Sequence, residues 1–446
     1  MSTVVVILAA GMGTQMKSNL PKALHRVCGR PMVAYVVDAA RKLTGTRPLV
    51  VVGHGAELVR QALGDLADTV FQEPQLGTGH AVMQARAALE GKADTVLVVY
   101  DDTPFISIET LRAMLDRHTS ENAAATILSF RPPDPLRFSR IVRNEAGHVQ
   151  AIVEFAKATP EQRAIRECNS GIKCFQADWL WSHIEQLPVK HGEQYLTDLV
   201  ELAVAEGRAI AASEADPDEV MGIDNRARLA WAEAKLRARI NEQLMLSGVT
   251  MTDPATTYIE ASVTIGTDTI ILPNTHLRGR TVIGRACEIG PNAVIEDSVM
   301  GDRCVVKASF FEGATLEDDV AVGPFAHLRK GAHLCSHVHM GNFGEVKNSR
   351  LGPGAKMGHF SYVGDADVGA EVNISCGVIT CNYDGKNKHK TVIGEGAFIG
   401  SDTLLRAPVT IGKDAVTGAG SVVTHDVPDG ALAYGVPARV QPTKEA

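Results

Sequence analysis

The chain has 446 residues, 45% of them hydrophobic and 22% charged, and a formal net charge of −8. This is an ordinary globular composition, long enough for two or three domains with buried cores. The acidic balance argues against a broad nucleic-acid surface, and no stretch approaches the ~20 apolar residues that cross a bilayer, so neither nucleic acid nor membrane is an expected partner.

The chain begins with an apolar run, residues 4–10, with no basic segment ahead of it, which does not read as a signal peptide. Eight scattered cysteines lack Cys-x-x-Cys spacing. The expectation is reduced, buried thiols in a cytoplasmic protein rather than disulfides or zinc. Residues 1–222 then alternate strand-like and helical patterns: strand 4–8, helix 31–43, strand 48–52, helices 56–63 and 79–88, strand 95–100. That alternation predicts a doubly wound, Rossmann-like α/β sheet. The first strand ends in Leu8-Ala9-Ala10-Gly11-Met12-Gly13-Thr14-Gln15-Met16, whose small residues let backbone N–H groups approach a phosphate. A plain strand–helix turn explains Gly-x-Gly equally well. Leu20-Pro21-Lys22 brings a cation next to the loop. The stretch from Gln72 through Gly77 and Thr78 to Ala81 offers amide groups and a second glycine turn suited to a planar base. Asp101-Asp102 follows a strand, where α/β sheets place ligands and where carboxylates suit Mg²⁺; helix capping is the other reading.

Residues 225–246, rich in Ala, Leu, Arg and Glu and free of Gly and Pro, predict one linker helix. Beyond Val263 an aliphatic residue recurs every sixth position, as in Ile265, Ile271, Leu277, Ile283, Ile289 and Ile295. A second run goes from Leu316 to Val346 and a third from Ile393 to Val423, with a polar Thr417 in the series. Neither the helical period of 3.6 nor the strand period of two yields six, whereas a hexapeptide parallel β-helix does. A β-sandwich is the alternative, but its strands alternate and vary in spacing. Glycines after the aliphatic positions, such as 266, 284, 290, 323, 358 and 400, are expected to make corners with positive φ. Residues 426–430 should close the repeats, leaving a loose tail after Pro437. The expected division is a nucleotide-handling domain at 1–224, a linker helix at 225–247 and a β-helix at 248–446.

Taken together, LAAGMGT, LPKALH, QLGTGHA, the acidic turn, Asn169-Ser170-Gly171-Ile172, and then GNFGEVKNSRLG, GHFSYVGDA and TCNYDG in order resemble one family over nearly the whole chain. It is the bifunctional N-acetylglucosamine-1-phosphate uridylyltransferase/glucosamine-1-phosphate acetyltransferase family. The resemblance implies a left-handed β-helix that acetylates glucosamine-1-phosphate from acetyl-CoA. It implies an N-terminal domain that joins N-acetylglucosamine-1-phosphate to UTP with Mg²⁺ and releases pyrophosphate. It also implies a homotrimer with acetyl sites between subunits. His359 matches the general base for the sugar amine, and an imidazole titrates in the right range. Glu345 matches the residue orienting that amine. Arg329, Lys347 and Lys388 match the phosphate-binding cations, and Tyr362 and Asn373 match sugar positions. Cys376, Asn382, Tyr383, Ser401 and Ala419 match acetyl-CoA positions. In the uridylyl site Leu8, Ala9, Ala10, Gly11, Lys22, Gln72, Gly77 and Thr78 match nucleotide contacts. Ser139, Glu154 and Asn169 match sugar contacts, and Asp102 and Asp224 the metal ligands.

The departures concentrate in the uridylyl site. Gln15 stands where the family carries a triphosphate-gripping arginine; loss of such a donor is commonly worth ~3–4 kcal/mol in the transition state. Asp101 and Ser139 replace glycines, Phe155-Ala156 replaces a pair ending in lysine, and Asp224 replaces an asparagine. In the acetyl site Ser375-Cys376 replaces a Gly-Ala pair. The family's C-terminal arginine has no match in Tyr434-Gly435-Val436-Pro437, where Arg439 is the nearest substitute. Three readings follow: a fully bifunctional enzyme, an acetyltransferase with weakened or redirected nucleotidyl transfer, and a non-catalytic trimeric scaffold.

Overall fold

The computed structural model describes residues 2–135 and 137–441. The chain forms two compact units, residues 1–233 and 234–446.

The first unit is built on a mixed, mostly parallel sheet. Its elements are β1 (Thr3–Ala9), α1 (Met32–Thr44), β2 (Leu49–Val52), α2 (Ala56–Leu63), β3 (Asp68–Phe71), α3 (Gly77–Gln84), β4 (Thr95–Tyr100) and α4 (Ile108–Ser120). β5 (Ala125–Phe130), β6 (Arg140–Arg143), β7 (Val149–Val153), β8 (Cys168–Gln176), α5 (Asp198–Ala205) and β9 (Ile210–Ala215) follow. The strand order is β9–β5–β8–β4–β1–β2–β3, with the β6–β7 hairpin attached through β8. Along β1, Val5, Ile7 and Ala9 enter one core while Val6 and Leu8 enter the other, which is why this strand reads as an unbroken apolar run. β8 runs antiparallel to β4 and β5, a reversal that the alternating pattern does not announce. The helix expected at 79–88 ends at Gln84 and resumes at Arg86–Leu89. The bonds Ala85 N–H to Val82 O and Ala88 N–H to Ala85 O span three residues and tighten the turn there. Helix α6 (Arg226–Leu246) starts where the Asn225 side chain accepts the Arg228 N–H at 3.0 Å, and the division between units falls within it.

The second unit is a left-handed parallel β-helix of three sheets with 12, 10 and 9 strands, all parallel but for the last strand of the first. Each short strand pairs with the third strand along, as Ile271 with Ile289, so a coil holds three hexapeptides. Ile271, Leu277, Ile283, Ile289 and Ile295 stack inward and are essentially fully buried. The period drops to five before Met300, Phe311, Leu316, Leu351 and Val368. Three of these short corners hold buried serines, 298, 309 and 349, whose hydroxyls accept the N–H of Ala314, Ala326 and Ala366 on the next coil. Thr417 occupies an inward slot, with its hydroxyl 3.0 Å from the Gly400 nitrogen and 3.2 Å from Thr403 Oγ1.

Two expectations need correction. Of the six glycines read as corners, Gly290 and Gly323 have positive φ, 103° and 105°. Gly266 and Gly400 serve another purpose: a Cβ there would meet the backbone of the next coil, Gly284 C at 2.7 Å from the first and Thr417 O nearer still to the second. The chain after Pro437 is not loose over its described part. Ala438–Val440 pairs antiparallel with Leu432–Gly435, which adds a further strand beyond 426–430; residues 442–446 lie outside the described residues.

Candidate active sites

The first unit holds a cavity of about 440 Å³ at the carboxyl ends of β1 and β4. Leu8, Ala10, Gly11, Lys22, Gln72, Gly77 and Thr78 all line it. Ala9 does not, because its side chain alternates into the opposite core. Gln72 is fixed by its Nε2–H bond to Gly77 O at 3.0 Å, and Gln75 donates to Ala10 O at 2.7 Å, tying the two loops together. Tyr100, Glu193 and Tyr195 also line it and were not singled out from sequence. Tyr100 ends the strand before the acidic turn. Glu193 and Tyr195 come from a segment without any motif.

The acidic turn forms one cluster with Lys22. The ammonium lies 2.7 Å from Asp102 Oδ2 and 3.7 Å from Asp101 Oδ1. Burial opposes its charge, yet Asp101 and Asp102 carry it above the usual lysine range, with Asp224 adding to the pull. The Ile223 N–H bonds Asp102 O at 2.9 Å, which draws the 224 segment to the turn. Burial pushes Asp101 up to about 7, with Lys22 opposing. Three carboxylates thus crowd a lysine, helped by Arg228 at 3.3 Å from Asp224. This hard, oxygen-only, anion-rich donor set fits a divalent cation such as Mg²⁺. Gln15 is exposed on the turn Thr14–Met16 and does not line the cavity. Ser139 and Asn169 are adjacent, the Asn169 N–H donating to Ser139 O at 2.9 Å. Glu154 lies within electrostatic reach of Tyr100 and Lys173.

The β-helix gathers the second set of residues into two places. Arg329, Glu345, Lys347 and Tyr362 sit on adjacent coils of the ten-stranded sheet, where Glu345 pairs with Tyr362. Arg329 Nη1 lies 2.9 Å from Glu345 Oε1. An insertion after Cys381 carries Asn382, Tyr383 and Lys388; Asn382 Nδ2 is 3.4 Å from the Tyr362 hydroxyl. Asp384 holds this insertion by accepting the N–H groups of Lys386 and Asn387. Lys388, with Arg329 behind it, holds the Lys347 ammonium below the usual lysine range. Three cations so close together are what a bound phosphate would relieve.

The other residues form a column. His359, Cys376, Ser401 and Ala419 each lie two residues past an inward position, Met357, Ile374, Ile399 and Thr417, on successive coils. The corner is bonded from coil to coil: Asp402 N–H to Cys376 O at 2.7 Å and Gly420 N–H to Ser401 O at 2.8 Å. Four coils spaced about 4.8 Å apart make a ladder roughly 15 Å long, with His359 exposed at one end. Asn373 lies on the strand leading to this corner, its Nδ2 3.1 Å from Ser375 Oγ.

Residues 5–170 match the MobA-like NTP transferase domain family, and residues 262–297 and 390–425 match the bacterial transferase hexapeptide (six repeats) family. The chain is 48% identical over 430 residues to the bifunctional protein GlmU of Geobacillus sp. (strain WCH70), covering 96% of this chain and 94% of that relative. It is 47% identical over 431 residues to the bifunctional protein GlmU of Heliobacterium modesticaldum, with the same coverages. That of Pelobacter propionicus is 48% identical over 435 residues, again with 96% and 94% covered. Identity at this level along almost the whole of both chains spans the sheet domain and the β-helix together: the chain belongs to the GlmU family of bifunctional sugar-phosphate uridylyltransferases and acetyltransferases.

Proposed function

We propose that the chain makes UDP-N-acetylglucosamine in two steps. The β-helix transfers acetyl from acetyl-CoA to the amine of glucosamine-1-phosphate. The first unit then transfers uridylyl from UTP to N-acetylglucosamine-1-phosphate and releases pyrophosphate. In the first step His359 takes the amine proton as nitrogen attacks the thioester carbonyl and CoA leaves as the thiol. Glu345 orients the amine, and Arg329, Lys347 and Lys388 hold the phosphate. Cys376, Ser401 and Ala419 offer backbone along the corner to an extended acetyl-CoA, with Asn382 and Tyr383 beside it. The corner column is the observation that carries this reading, since it aligns a base with a straight run of coil corners.

In the second step Leu8, Ala10, Gly11, Gln72, Gly77 and Thr78 bind the nucleotide, and Ser139, Glu154 and Asn169 bind the sugar phosphate. Asp102 and Asp224 would hold Mg²⁺, which supplies charge neutralisation for phosphoryl transfer. Lys22 keeps the cluster compact and faces the phosphates. The domain limits 1–224, 225–247 and 248–446 serve these two chemistries. No described helix is long and apolar enough to cross a membrane, and a cytoplasmic enzyme accords with eight free cysteines. A weakened uridylyl step is the second reading, favoured by exposed, uncharged Gln15 beside a site enriched in carboxylates. Parallel assays of CoA release and pyrophosphate release test both. His359→Ala should lower CoA release ~100-fold or more and leave pyrophosphate release intact. Wild-type acetylation in that variant would overturn the assignment.

A further inference from the structure

Lys173 sits in the middle of β8 and is 1% exposed. It lies opposite Val98 of β4 and Ile127 of β5, between fully buried Ile172 and Cys174. An ammonium there has given up its water, which is costly without strong partners. Burial pushes Lys173 down to about 7, while the Glu154 carboxylate pulls the other way. Two acceptors meet its three N–H bonds: Asn169 Oδ1 at 3.2 Å and Gly171 O at 2.9 Å. A regular strand would separate residues 169 and 173 by about 13 Å. The register shift of β8 between them, with Gly171 at φ +96°, folds the strand so that the amine reaches back. A side chain at 171 would meet the Tyr100 ring at 2.8 Å, so the fold is possible only with glycine there.

The consequence falls on Asn169. Its Oδ1 receives both the Lys173 ammonium and the Gly171 N–H at 3.1 Å. Two donors on one atom identify that atom as oxygen, so the amide orientation is determined. With Oδ1 so occupied, the Asn169 NH₂ is the part of the amide left to donate, and no bond from it occurs among the described residues. Ala156, where the resemblance leads to a lysine, brings no cation to Glu154.

We propose that Lys173 is a positioning residue for the sugar phosphate, holding the Asn169 amide with its NH₂ toward the sugar hydroxyls. This rests on the uridylyl-site reading of Asn169 and Glu154.

Steady-state pyrophosphate release with UTP and N-acetylglucosamine-1-phosphate, together with thermal unfolding, tests it on the full chain with Lys173→Met and Lys173→Gln. The expected result is a KM for the sugar phosphate raised ~10-fold or more in both variants, with kcat and the KM for UTP within about threefold. Lys173→Met should unfold at the same temperature or higher. In an Asn169→Ala background the further loss on changing Lys173 should be much smaller, because the two act as one unit. An unchanged KM for the sugar phosphate, or unfolding at lower temperature with kcat and KM both impaired, would overturn the proposal and leave Lys173 a structural residue. A wild-type chain that turns over CoA but releases no pyrophosphate would overturn the uridylyl reading itself, with the role of Lys173 in it.

Discussion

Gln15 illustrates how one side chain bears on the uridylyl site. The loop around it is built, with Lys22 and Gln72 held by bonds of 2.7 and 3.0 Å, but the side chain is exposed and neutral. Gln15→Arg should therefore strengthen uridylyl transfer: a guanidinium makes two charge-assisted bonds to a triphosphate. The gain belongs in kcat if the charge acts on the transition state, and in the KM for UTP if it only binds. Unaltered pyrophosphate release would move attention to Asp101 and Ser139. Lys173 allows a prediction of sign. Its ordinary value of 10.5 falls to about 7 in the fold. Between pH 7 and 10 the unfolded chain therefore holds a proton that the native chain releases, so stability from this group rises with pH across that window. Below pH 7 the full cost of the buried charge remains. The thermal gain of Lys173→Met should be largest at pH 6–7 and shrink toward pH 10; a gain independent of pH would contradict the buried charge.

At the scale of the element, the coils are held by more than their aliphatic columns. Ser349 is 4% exposed; its hydroxyl donates to Lys347 O at 2.8 Å and accepts the Ala366 N–H at 2.9 Å. Ser349→Ala leaves that buried N–H without this partner and should cost ~1–3 kcal/mol in denaturant unfolding. Thr417→Val is the contrast. The Gly400 N–H keeps its bond to Thr417 O at 3.1 Å, so removing the hydroxyl should change stability by less than ~1 kcal/mol. Equal effects of the two substitutions would refute the idea that serine bridges matter at the shortened corners. Both measurements separate a polar group that closes a corner from one that merely occupies an inward slot.

At the scale of the molecule, the β-helix carries apolar surface that a single chain leaves uncovered. Phe310, Phe325, Phe343 and Phe360 are all more than half exposed, and the rings of Phe325 and Phe343 stack at 5.3 Å. Phe325 and Phe343 hold positive φ, 61° and 57°, a conformation that a phenylalanine adopts at some cost. Exposed aromatics of this kind are what the trimer implied by the resemblance would cover. Phe343→Glu should shift sedimentation toward the monomer and abolish CoA release, while pyrophosphate release persists. A monomeric wild type with full acetyl transfer would rule the trimer out.

Much of this was legible in the chain because it is local and repeated. A six-residue period imposes one inward side chain per face at every coil, so the β-helix shows in the order of residues alone, as does the α/β alternation ahead of it. The motifs also carried the nucleotide loop, since small residues and Lys22 must follow the first strand for phosphates to approach. What the sequence could not carry was relative placement. Ala9 belongs to the loop motif yet turns into the core, because side chains alternate along a strand whose register only the sheet sets. His359, Cys376, Ser401 and Ala419 are unevenly separated in sequence by a shortened coil and an inserted loop; stacking alone makes them a column. Lys173 reads as one more lysine until β8 reverses direction and buries it, and only then does its ammonium have Asn169 and Glu154 as its surroundings.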